Sequence, residues 1–242
     1  MKKALAVLVL LASNSSNSQA AESAVLAIPG KVIYESKLDS APGAPWKSAK
    51  GKWELVGGAM RGTELVADKH GAVTRLPNQL QDFAMEYEFK FEGAKGTSLS
   101  INAVKDHMAR INISPKSITI QRDDNDHEGP DQAVVFARFP ADLQPGVWHK
   151  VRLEMVGDLM YAQVDDLKAW GASDLFKQPK LAPGFTVAGE SVDFRNVVIR
   201  EATLNPNWEA TKSSLPKPGE KVMALAAKAN PKANTKAAAK KK

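Results

Sequence analysis

The sequence predicts an all-β domain in which two antiparallel sheets pack face to face, as a sandwich or jelly roll. Three observations carry this. Gly146–Asp165 (GVWHKVRLEMVGDLMYAQVD) alternates strictly, with Val151, Leu153 and Met155 against Lys150, Arg152 and Glu154, and turns at Val156-Gly157-Asp158. Asp82–Glu92 sets Phe83, Met85, Tyr87, Phe89 and Phe91 against Ala84, Glu86, Glu88 and Lys90, giving one face a large aromatic area to bury. Roughly a dozen such short segments follow one another with turns between them and no long amphipathic helix. An immunoglobulin-like sandwich needs fewer strands and only about 100 residues.

In chain order, Lys31–Glu35 is a first strand, and Ser40–Pro45 a Pro/Gly loop followed by Trp46. Gly51–Glu64 folds back at Gly57-Gly58, and Ala72–Leu76 ends at Pro77. After the aromatic strand, Gly93–Gly96 turns the chain into Ser98–Val104. Ala109–Ser114 and Ser117–Arg122 form a hairpin about Pro115-Lys116, Asp123–Asp131 is a polar loop, and Ala133–Arg138 is β-branched again. Beyond the Gly146–Asp165 hairpin, Trp170–Pro183 is irregular, with a helical turn near Asp174–Phe176. Phe185–Ala188, a Gly189-Glu190 turn and Ser191–Glu201 close the domain.

The ends differ from this body. Residues 1–20 form an export leader: Lys2 and Lys3, the apolar run Ala4–Ala12, and a Ser18-Gln19-Ala20 cleavage site. That run is too short to span a bilayer, so a periplasmic or extracellular protein is expected. Residues 205–242, interrupted by prolines and rich in Ala and Lys, form a disordered basic tail, with at most a transient helix at Met223–Ala229. Leader and tail hold the positive charge. Removing their Lys and Glu from the net +6 leaves about −3 for residues 21–208. The folded body thus lacks the basic face of a nucleic-acid-binding domain, whereas the tail either touches anionic envelope polymers or lipids or simply keeps the protein soluble. With no cysteine, neither disulfides nor thiolate metal sites are available.

Four segments together resemble a bacterial family, the 3-keto-disaccharide hydrolase domains, once a domain of unknown function. They are GKWELVGGAMRG (Gly51–Gly62), QDFAMEYEFKF (Gln81–Phe91), PGVWHKVRLEMVGDLMYAQVDD (Pro145–Asp166) and SVDFRNVVIRE (Ser191–Glu201). The resemblance spans about Val32–Ala202. It implies a concanavalin A-like lectin/glucanase jelly roll with a ligand site on its concave face. Where that family carries an Asn-Ser-Gly stretch and a Glu-x-Gln segment, this chain reads Gly96-Thr97-Ser98 and Ile111-Asn112-Ile113. The family's site residues therefore do not transfer, nor is the Glu-x-Asp-x-x-Glu of jelly-roll glucanases present.

Chemistry must then come from other residues. Asp124, Asp126 and Glu128 alternate before Gly129 and could wrap a Ca²⁺ ion with hard oxygen ligands, although the twelfth loop position is Val135, not the Glu of an EF-hand. The same three carboxylates, with Glu86, are the candidates for acid/base work, while alternation alone accounts for Glu86 and Glu88 as solvated outer positions. Trp46 and Trp170 lie outside any alternating pattern and are either core or rim residues or the candidates for stacking on a sugar ring, with Arg122 beside the loop as a further ligand contact; Trp53 and Trp148 read as core. His107, His127 and His149 lack metal-ligand spacing, and His149 reads as a wall residue. The expected function is an exported carbohydrate-binding or surface-interaction module. The alternatives are a glycoside or 3-keto-disaccharide hydrolase and a structural envelope protein held by its Lys-rich tail.

Overall fold

The structure is a computed structural model; it describes residues 24–104, 106–124 and 132–219, and the backbone of 221–224. The leader, Asp126, His127, Glu128 and the tail beyond Ala224 lie outside the described residues. The chain is nearly all β, as expected. In order the strands are β1 (Ala27–Ser36), β2 (Lys47–Lys50), β3 (Lys52–Val56), β4 (Ala59–Thr63), β5 (Ala72–Arg75), β6 (Gln79–Leu80), β7 (Phe83–Asn102), β8 (His107–Ser114), β9 (Ser117–Arg122), β10 (Gln132–Pro140), β11 (Trp148–Val156), β12 (Leu159–Val164), β13 (Leu167–Ala172), β14 (Lys180–Leu204) and β15 (Lys221–Ala224), with one short helix, α1 (Trp208–Ser213), before β15.

Two long strands define the architecture. The first half of β7 pairs with β11 and with the second half of β14, and β12, β13, β1, β4 and β3 extend this back sheet. The second half of β7 pairs with β8 and the first half of β14, and β9, β10, β15, β5 and β2 extend the front sheet. The reversals expected at Gly93–Gly96 and Gly189-Glu190 are instead bends within continuous strands. Gly93 (φ 89°) and Gly189 (φ 87°) sit at the bends, where the β7–β14 register shifts. The corner needs glycine for φ; a Cβ on Gly93 would also make the exposed Glu190 carboxylate, 1.9 Å away, swing aside.

Between the sheets lies the core that the aromatic strand announces. Phe185 stacks on Phe194 (4.3 Å) and lies 4.8 Å from Tyr87, while Ile111, Ile113, Ile118 and Ile120 face Val151, Leu153 and Met155 in one cluster. Burial pushes the Tyr87 hydroxyl pKa up.

Two sequence expectations change at the end of the domain. Trp170, placed in an irregular stretch, lies on β13 opposite Tyr161, while Asp174–Lys177 forms the 3-10 turn expected there. The packed chain also continues past Leu204. Trp208 of α1 is 2% exposed and joins Leu26, Ala27, Ala84, Val156, Tyr161 and Ala202 in a second apolar cluster on the outer side of the back sheet. Asn205 anchors this crossing by donating to the carbonyls of Ala24 and Val25. At Met223, where a transient helix is expected, the chain pairs with β10 as a strand. A proline- and lysine-rich composition hides the large apolar residues, Trp208 and Leu215, that dock the segment.

Candidate ligand-binding face

Strand alternation that sends isoleucines and phenylalanines inward on the front sheet sends small polar residues outward. Antiparallel register lines these up in cross-strand rows. One row runs Arg75, Gly184, Ser100, Arg110, Gln121; the next runs Val73, Thr186, Ser98, Asn112, Thr119, Arg138. Around the second row lies a shallow open depression of about 250 Å³ whose lining includes Ser98, Asn112, Ser114, Ser117, Thr119 and Thr186. Its hydroxyl and amide groups suit a polyhydroxylated ligand.

The first row carries the charge. Arg75 is half-buried, and its Nη1 donates to Asn102 Oδ1 (3.1 Å), Ser100 Oγ (3.3 Å) and the Ala182 carbonyl (3.4 Å). Burial chiefly, and then the neighbouring Arg110, lowers its pKa, with Asp106 opposing. Arg110 Nε lies 3.0 Å from Asp123 Oδ2, off the line of a hydrogen bond, and Gln121 donates to Asp123 Oδ1 at 2.6 Å. Asp123 is 1% exposed; burial raises its pKa, while Arg110 and Gln121 oppose this. His107 Nδ1 is 2.9 Å from the same Asn102 oxygen that Arg75 contacts.

The residues singled out in the sequence lie elsewhere. Trp46 is buried (6% exposed), stacked on Phe185 at 5.1 Å and donating to the Tyr34 hydroxyl, so it is core and not a stacking platform. Trp170 is on the back sheet, edge-on to Trp208 with Lys212 Nζ 5.2 Å above its ring. Glu86 is also on the back, with Lys150 at 3.6 Å and Arg152 at 3.9 Å, and Glu88 is held by Arg195 at 2.6 Å. Trp148, expected in the core, faces outward beneath the Arg195 guanidinium at 3.9 Å. Arg122 ends β9 and donates to the Asp123 carbonyl. Asp124 accepts from the Gln132 amide at 3.0 Å, closing the base of the loop that holds Asp126 and Glu128. Among the described residues no three imidazole or carboxylate groups converge as a metal site. His149 is a buried wall residue, as expected, packed on Phe89 and paired with Asp165 at 2.7 Å.

Sequence reasoning missed Arg75, Arg110, Gln121, Asn112 and Thr186. The alternation of Arg110 and Asn112 with Ile111 and Ile113 marked them as outward; what it lacked was the register that aligns five strands.

No protein-family model and no curated protein sequence matches the chain. Solved structures do match in fold. They include a protein of unknown function with galectin-like fold from Bacillus subtilis (10% identity, 74% of this chain and 100% of that one, TM-score 0.55). Laminarinase from Rhodothermus marinus matches at 11% identity over 73% of this chain and 99% of that one, with TM-score 0.54. Crh5 transglycosylase in complex with NAG matches at 11% identity over 74% and 88%, with TM-score 0.56. At such identities the likeness is one of fold: the chain is a jelly-roll β-sandwich.

Proposed function

We propose that this protein is an exported carbohydrate-binding module that takes its ligand on the outward face of the front sheet. The observation that carries this reading is the pair of cross-strand polar rows around an open depression, built from Ser98, Asn112, Thr119 and Thr186. Hydroxyl and amide groups on a rigid sheet can bond sugar hydroxyls without prior ordering of a loop. The protein's neighbours in fold include a laminarinase and a transglycosylase in complex with NAG, which supports a glycan as the ligand.

Hydrolysis of a glycoside or a 3-keto-disaccharide is the second reading. The observation favouring it is Asp106, close enough to help raise the pKa of Asp123. Glycosidases need two accessible carboxyl groups flanking the bond. Asp123 is buried against Gln121 and Arg110, which weighs towards binding.

The test is a glycan-array screen of the mature protein followed by calorimetry of any hit, with reducing-sugar release assayed alongside and a chelator arm for calcium at the Asp124 loop. Asn112→Trp, which fills the depression, should abolish binding while the melting temperature stays within a few degrees. Binding untouched by Asn112→Trp would move the site off this face. Turnover of the bound glycan would replace the binding reading with the hydrolase.

A further inference from the structure

We infer that the ligand taken on this face carries a carboxylate, held between the guanidinium groups of Arg75 and Arg110. This rests on the carbohydrate-binding reading and names the class of sugar: an acidic glycan, with a uronate as the recognised unit.

The contrast in how cations are matched is the starting point. On the outer side of the back sheet Arg61 meets Asp193 at 2.6 Å, Lys90 meets Glu92 at 2.5 Å and Arg195 meets Glu88 at 2.6 Å. On the front face the hydrogen bonds of the half-buried Arg75 go to neutral oxygens, those of Ser100, Asn102 and Ala182. A charged group taken partly out of water with only neutral acceptors is stabilised by an arriving anion far more than a solvated one is.

The backbone also aims this side chain. Gly184 lies directly between Arg75 and Ser100 in the row, and a Cβ there would stand 2.7 Å from Arg75 Cγ. The Arg75 stem therefore lies across Gly184, toward Ser100 and, one strand further, Arg110. Strands are about 4.8 Å apart, so the Cα atoms of Arg75 and Arg110 are separated by roughly 14 Å, a span two extended arginine side chains can close. Gly184 and Ser100 are buried beneath this row, and the guanidinium groups reach over them.

Arg110 lies against the buried carboxylate of Asp123, and Asp106 acts on Arg75 through space, while the hydrogen bonds Arg75 makes go to neutral oxygens. A planar carboxylate fits the guanidinium fork in a bidentate way, and the depression one row away would take the hydroxyls of the same or the next sugar. With a body of about −3 net charge, residues 21–208 offer a polyanion no general attraction, which makes recognition local to this row.

The experiment is calorimetry with a panel of galacturonate, mannuronate and glucuronate oligosaccharides, each paired with its uncharged methyl ester. The wild type and the variants Arg75→Gln and Arg110→Lys are compared, with melting temperatures as a fold control. At least one acid should bind 10-fold or more tighter than its ester. Arg75→Gln should erase that preference, and Arg110→Lys should weaken it in part. An ester that binds as tightly as its acid, an acid bound equally well by wild type and Arg75→Gln, or a preference for sulfated over uronate chains overturns the inference. Neutral-sugar binding that is lost in Asn112→Trp and indifferent to charge overturns it while leaving the carbohydrate-binding reading intact. Absence of binding to any glycan, charged or neutral, overturns both.

Discussion

The two outer surfaces of the sandwich start from the same sequence pattern and end differently. On the back sheet, outward positions Ala84, Glu154, Tyr161 and Trp170 line up in one row, and both ends of the domain cross over part of it. Glu154 is fully buried there. One of its oxygens accepts the amides of Leu26 and Ala27 at 2.8 and 2.9 Å, and the other pairs with Arg152. The rest of that surface is a lattice of ion pairs. On the front sheet nothing among the described residues crosses the Ser98–Asn112–Thr119 row, and Arg75 gives its hydrogen bonds to neutral acceptors, with Asp106 acting on it through space. A strand's alternation decides only which side faces out; what then lies on that side is decided by chain tens of residues away. The surface left open is the one where binding is to be sought.

This contrast can be broken most sharply at the clasp. Glu154→Ala removes the acceptor for two backbone amides and leaves the buried Arg152 without its nearest counter-charge, so chemical denaturation should show a loss of about 3–5 kcal/mol. Trp208→Ala empties the centre of the second cluster and should cost about 3 kcal/mol, with tryptic cleavage appearing at Lys212 before global unfolding.

Acidity sharpens the comparison further. The folded-state pKa of Glu154 is raised, chiefly by burial. Its titration therefore contributes stability that is full below the ordinary carboxylate range and falls as pH rises through its folded value. The stability advantage of the wild type over Glu154→Gln should widen as pH is lowered from 7 to 4, measured by thermal melts across that window. The smallest effect belongs to the open face. Arg75→Gln should change stability by less than about 0.5 kcal/mol in the same assays, because its neutral partners lose little with it. A larger loss would make Arg75 a structural residue.

Much of the fold was legible. The β11–β12 hairpin, the aromatic half of β7 and the β8–β9 pair follow directly from alternation and turn chemistry, because those signals are local. The bends at Gly93 and Gly189 were not legible as bends, since a glycine with positive φ serves a reversal equally well. Trp46 and Trp148 exchanged expected roles for a related reason. A tryptophan following a Pro/Gly loop turned inward onto Phe185, and one on an alternating strand sits at an outward position below Arg195. The candidate face was the least legible part, because Arg75 and Arg110 become neighbours only through β14 and β7, whose pairing spans about half the chain.

Strand β14 pairs with β1, β4, β5, β6 and β7, from Ala27↔Leu204 to Lys180↔Leu80. Neither sheet can be completed until residue 204 exists. On a ribosome the preceding hairpins would emerge and wait, with the isoleucines of β8 and β9 and the aromatic face of β7 lacking their main cover. Such high contact order makes folding slow and late. The chain is thus assembled as one cooperative event triggered by its last long strand, and a nascent fragment ending before β14 is a substrate for chaperones, not a smaller domain.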